Sequence, residues 1–174
     1  MRHVLPFTLL AGTVALGDWS QSGTANVSFK ASTNVAMKVN GESDKLLVRS
    51  DGKALRFSVG VKALSTGISL RDNHMHETFE PEKFPDVTLE VPLDALQVPA
   101  DGASGSGEAK GALSLHGVTK DLPFKYTASC KAGSCDVQAS ADINTADHGM
   151  KMPSHLGVTV KPQVSISVKF QVKR

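Results

Sequence analysis

The sequence predicts an all-β fold: a single antiparallel eight-stranded barrel with one short helical connection. Three observations lead there. Apolar and polar residues alternate with period two along most of the chain, as expected of strands with one buried and one solvated face. The alternating runs recur about eight times, and a sheet that large must protect its edges, which a barrel or sandwich achieves. Several runs reach about eight or nine residues, longer than the common five or six, and long strands favour the barrel.

Taken in order, the first segment stands apart. Arg2 and His3 are followed by an uncharged stretch from Val4 to Gly17. It is shorter than the roughly 20 residues that span a bilayer. Ala15-Leu16-Gly17 offers small residues at the positions a signal peptidase inspects. The expectation is a signal peptide over 1–17 and one domain over 18–174, and hence a periplasmic or secreted protein.

Val27, Phe29 and Ala31 then point one way, with Ser28 and Lys30 opposite. Val35, Met37 and Val39 read as the next strand, ended by Asn40-Gly41 as a turn. Further runs place Leu55, Phe57 and Val59 on one face, then Val87, Leu89 and Val91. Leu122, Phe124, Tyr126 and Ala128 follow, then Val137, Ala139, Ala141 and Ile143. The last run is the cleanest, Val164, Ile166, Val168, Phe170 and Val172 with polar residues between. Ser69 to Phe84 is charged and lacks alternation, so it reads as a long connection with about one helical turn. Ala100 to Gly107 reads as a flexible loop.

Cys130 and Cys135 flank a Lys-Ala-Gly-Ser loop between two alternating runs. Strand ends joined by a four-residue loop bring two Cβ atoms to disulfide distance, and an exported protein would keep the bond. Two cysteines without a second pair or a neighbouring histidine do not make a structural zinc site.

Composition excludes some functions. The formal charge of +2 is spread along the chain, whereas nucleic-acid binding needs a basic stripe. One Trp, one Tyr and seven Phe are too few for a base-stacking platform. Phosphate-loop, His-Glu-x-x-His and Gly-x-Ser-x-Gly patterns are all missing from the sequence, so neither a catalytic group nor a cofactor is implied. His74, His76, His116, His148 and His155 fall in or near turns. Spacing alone does not bring three of them onto a metal.

The residues predicted to line the barrel interior are Phe29, Met37, Phe57, Val59, Leu89, Leu115, Phe124, Val168 and Phe170. Ala31, Ala128, Ala139 and Ala141 share that face. Small beside large residues suit a ligand tunnel and equally a tapered solid core.

Three segments carry a resemblance. Leu64-Ser-Thr-Gly-Ile-Ser-Leu-Arg-Asp-Asn-His-Met75, continuing through Phe79 and Lys83-Phe-Pro-Asp-Val87, resembles a Thr-Gly … Arg-Asp-x-His signature. Gly111 to Lys120 resembles a Gly-x-Leu-x-Leu-x-Gly-Val-Thr-Lys strand and turn, and Ile143-Asn144 with Asp147-His148-Gly149 a third block. Together they resemble the YceI-like family, which implies an eight-stranded, lipocalin-like barrel holding a polyisoprenoid or similar lipid chain. Two rival readings stand beside it: a solid-core secreted module acting through its surface, and a metal-dependent enzyme using the His74/His76 connection. The sequence leaves a homodimer open.

Overall fold

The computed structural model describes residues 19–174; the expected signal peptide over 1–17 lies outside them. Eleven strand segments and one helix follow in chain order. They are β1 (Ser20–Gln21), β2 (Asn26–Thr33), β3 (Lys38–Ser43), β4 (Leu47–Ser50) and β5 (Ala54–Gly60), then α1 (Ser69–Phe79). Next come β6 (Asp86–Pro92), β7 (Ser104–Leu115), β8 (Val118–Lys131), β9 (Ser134–Asn144), β10 (Ser154–His155) and β11 (Val158–Lys173).

Every pairing is antiparallel, and the ring closes because the short β1 bonds to β11 on one side and β4 on the other. β1 and β2 run along the same edge of β11, and β3 and β4 continue one another in the same way. The closed barrel therefore has eight strand positions, two of them broken. Four strands exceed the expected length, with 12 residues in β7, 14 in β8, 11 in β9 and 16 in β11. β11 breaks register with β2 between Val160 and Val164. Pro162 lies in that interval, where its missing N–H does no harm to a ladder.

Several local expectations are corrected, and the loop expected over Ala100 to Gly107 ends at Ala103, because β7 begins at Ser104. Val35, Met37 and Val39 do not share a strand: residues 34–37 form the turn into β3, closed by Ala36 N–H to the Thr33 carbonyl. Asn40-Gly41 is not a turn but the middle of β3. Glycine is needed there for close approach, because the Phe29 ring fills the space a Cβ at 41 would take. The cysteine loop is two residues, Ala132-Gly133, both at positive φ, the twist-matched hairpin turn that lets Lys131 and Ser134 still pair.

The charged connection folds into an 11-residue helix rather than a single turn. Its sequence lacks an apolar stripe because no residue of α1 is fully buried; only Met75 and Phe79 pack on the core. The helix is held instead by its ends. The Asp72 carboxylate accepts from the Ser65 hydroxyl (2.7 Å) and from the Thr66 amide and hydroxyl (2.6 Å each). Ser65 in turn bridges β3 through Glu42. At the other end Glu80 accepts from Lys83 and pairs with His116 in the β7–β8 turn.

One end of the barrel is closed by a packed floor of Trp19, Leu46, Val48, Leu55, Phe170 and Val172. The Cys130–Cys135 disulfide joins β8 to β9 in the same floor, both cysteines being buried. The opposite end carries α1, the β2–β3 turn and the β10–β11 hairpin.

Candidate functional site

The barrel is hollow. Period two sends alternate side chains of every strand inward, and eight strands enclose room for a small ligand unless large residues fill it. Here they do not. An outer chamber of about 930 Å³ opens at the α1 end, within the range of small-molecule sites. An inner chamber of about 160 Å³ extends toward the floor. The two abut at a belt of Val27, Val59, Val87, Leu113 and Ile166, which line both.

All nine residues predicted for the interior face these chambers. Phe57, Leu89, Phe124, Val168 and Phe170 line the inner one, Phe29, Met37 and Leu115 the outer one, and Val59 both. Met37 differs from the rest: it stands in the β2–β3 turn at the rim and is nearly half exposed. The small residues are wall positions, with Ala128, Ala139 and Ala141 facing the inner chamber and Ala31 the outer.

Several lining residues escaped the sequence reading. Tyr126 lies on the predicted face, yet its role depends on a distant loop: its Oη accepts from the Gln97 amide at 2.7 Å. The ring is seated over Gly107, its cross-strand partner. Met150 and Met152 come from a segment without alternation and reach the outer chamber only because of how it lies over the barrel. Trp19 belongs to no alternating run. It is buried in the floor with its indole N–H unpaired, and the Arg174 guanidinium sits 4.7 Å from its ring centre. A lone tryptophan just after the uncharged first segment was the only signal available.

Charged side chains and histidines line the outer chamber alone, whereas the inner one adds only Thr88, Gln97, Tyr126 and Ser140 to its apolar walls. Arg71, His74, Glu77, Lys151 and His155 line the outer chamber at its mouth. The His74 and His155 rings are 5.4 Å apart, joining α1 to the β10–β11 hairpin. The other histidines are held separately. His76 Nε2 lies 3.1 Å from the Leu64 carbonyl, and buried His148 places Nδ1 3.0 Å from the Val118 carbonyl. Among the described residues no three of His, Cys, Asp and Glu converge as a metal site. Burial pulls the Asp72 carboxyl upward, but its hydrogen bonds from Thr66 and Ser65 and the nearby His76 outweigh that and hold it below the usual value. Asp72 thus anchors the helix, and Arg71 beside it faces the mouth.

This arrangement offers a largely apolar hollow with its charged groups at one end. It is suited to hold a long apolar molecule whose polar end stays at the mouth.

No curated protein sequence matches the chain. Among solved structures it is similar to a polyisoprenoid-binding domain from Saccharophagus degradans implicated in plant cell wall breakdown. The identity is 19% and the TM-score 0.74, over 89% of this chain and 97% of that one. BcnA of Burkholderia cenocepacia gives 13% identity and a TM-score of 0.68, over 84% and 95%. A YceI protein of Campylobacter jejuni gives 18% and 0.56, over 78% and 85%. At such identities these likenesses establish the fold. The model of the YceI-like domain matches residues 20–172, nearly all of the described barrel, and the chain therefore belongs to the YceI-like family.

Proposed function

We propose that this protein is an exported binding protein that holds a single long apolar lipid chain, a polyisoprenoid or similar amphiphile, inside the barrel. The observation that carries the reading is the pair of abutting, largely apolar chambers, the outer of which opens at the α1 end. Each methylene taken from water into such a space contributes about 0.8 kcal/mol, so affinity grows with chain length until the inner chamber is full. No charge is needed along the walls. The polar end of the ligand stays at the mouth, beside Arg71, His74, Lys151 and His155.

The hollow interior favours this reading over a solid-core module. Likeness to a domain that binds polyisoprenoids supports the ligand class, and the uncharged stretch before Asp18 supports export.

The direct test is to purify the native protein from an exporting host, extract it with organic solvent and analyse the extract by mass spectrometry. A long-chain lipid in near-equimolar amount is expected. Lipid-free protein that also fails to bind a long-chain fluorescent probe would exclude the reading. Cell fractionation of the same material tests export, with the protein expected outside the cytoplasm.

A further inference from the structure

The end of the barrel that carries the mouth is apolar outside as well as within. Among the described residues the exposed large hydrophobic side chains are Val35, Met37, Ile68, Leu70, Leu156 and Leu47. All but Leu47 belong to three segments around the mouth: the β2–β3 turn, the start of α1 and the β10–β11 hairpin. The three segments are tied together. The Asn34 side chain donates to the Gly157 carbonyl and accepts from the Thr159 amide, both at 2.9 Å, which holds Val35 against the hairpin. His74 meets His155 and holds α1 there too.

Leu156 is the most telling member. It is 91% exposed and has φ 48°, followed by Gly157 at φ 79°. A two-residue hairpin of this kind favours Asn or Asp at its first position, because an ordinary side chain strains the left-handed backbone. Leucine here bears that strain and gains no packing within the chain. Although it borders the outer chamber, so exposed a side chain is covered only when something apolar approaches the mouth from outside.

The surrounding charge points to the occupant. Arg71 and Lys151 line the mouth against one carboxylate, Glu77, and exposed Lys38 follows Met37. No ion pair among the described residues engages any of the three cations. An apolar collar edged with unpaired cations is complementary to a bilayer surface carrying anionic headgroups.

We propose that this collar docks the protein, mouth down, on an anionic lipid bilayer. Leu156, Leu70 and Val35 enter the boundary between headgroups and acyl chains, while Lys38, Arg71 and Lys151 meet the phosphates. A chain then passes between membrane and cavity without crossing water. The direction of that traffic rests on the lipid-binding reading above; the docking itself does not.

The test is flotation of the full chain with vesicles of phosphatidylcholine alone, or of equal parts phosphatidylcholine and phosphatidylglycerol. Wild type is expected to float with the anionic vesicles, and the Val35→Glu/Lys38→Glu variant at least about five-fold less. Neither residue lines the chambers, so displacement of a long-chain fluorescent probe in solution stays unchanged. Leu156→Asn removes the strained leucine and is expected to float less while melting at a higher temperature. Wild type that stays at the bottom with both vesicles overturns the proposal. So does a variant that floats as wild type does, or a wild-type dimer in size-exclusion chromatography that the variant converts to monomer. Flotation that persists where probe binding fails would sink the cargo reading and leave the docking surface standing.

Discussion

Phe29 and Gly41 are cross-strand partners on β2 and β3, and the aromatic ring lies so close that a Cβ at residue 41 would overlap its Cζ. The ring covers the strand and faces the outer chamber, so glycine at 41 decides where the wall of the cavity runs. Tyr126 over Gly107 repeats the device at the inner chamber, with a Cβ placed 2.7 Å from Oη.

Gly41→Val should therefore force the Phe29 ring into the cavity and cost about 1–3 kcal/mol by overpacking. Urea denaturation would read the loss. In a Phe29→Ala background the same substitution should cost much less, because the obstacle has gone. An equal cost in both backgrounds would mean that the ring is not the reason for the glycine.

Ala139 lines the inner chamber opposite Tyr126 and Val168 in the ladder. Ala139→Phe should fill much of the space beyond the belt and leave the mouth intact. In a chain-length series followed by fluorescence displacement, affinity for long chains should fall by tenfold or more, about two methylenes' worth, while short chains bind as before. Wild-type affinity should change little with salt, since the walls carry no charge. An affinity indifferent to chain length would show that the head group holds the ligand.

The Cys130–Cys135 bridge closes a very short loop, so the chain-entropy model gives about 2 kcal/mol. Both sulfurs are buried in the floor, and Cys135 also lines the inner chamber. A Cys130→Ala/Cys135→Ala variant is expected to lose about that amount in thermal denaturation and to keep the barrel by circular dichroism. Intact mass with and without reductant should differ by two hydrogens in wild type alone.

Asp72 and Glu80 both titrate below the usual carboxylate value in the folded chain, Glu80 through its hydrogen bonds from Lys83 and His116. A folded pKa below the unfolded one adds stability above the unfolded value, and that stability drains away as pH falls through the folded one. Asp72→Asn should lower Tm by roughly 2–4 °C near neutral pH. The gap to wild type should narrow below about pH 4, where the unfolded carboxylate is itself protonated. A gap constant with pH would assign Asp72 no role through its charge.

By itself the sequence determined the all-β class, the inward face of most strands and the disulfide partners. The reason is that period two is a local property: Val164 to Val172 points the same way in any sheet that buries one side. The same logic failed where local pattern and local structure part company. Val35, Met37 and Val39 alternate, yet a turn at Ala36 separates them, and the turn is held by Asn34 bonding to a hairpin more than a hundred residues away. Helix α1 has no apolar stripe because its stability comes from Asp72 and Glu80 tying its ends to other elements. Whether the interior was hollow or filled rested on the sum of side-chain volumes around a closed ring, which no single strand records. Only the tertiary structure decided that, along with the placing of Leu156, Leu70 and Val35 on one rim, because those residues meet through contacts between segments far apart in the chain.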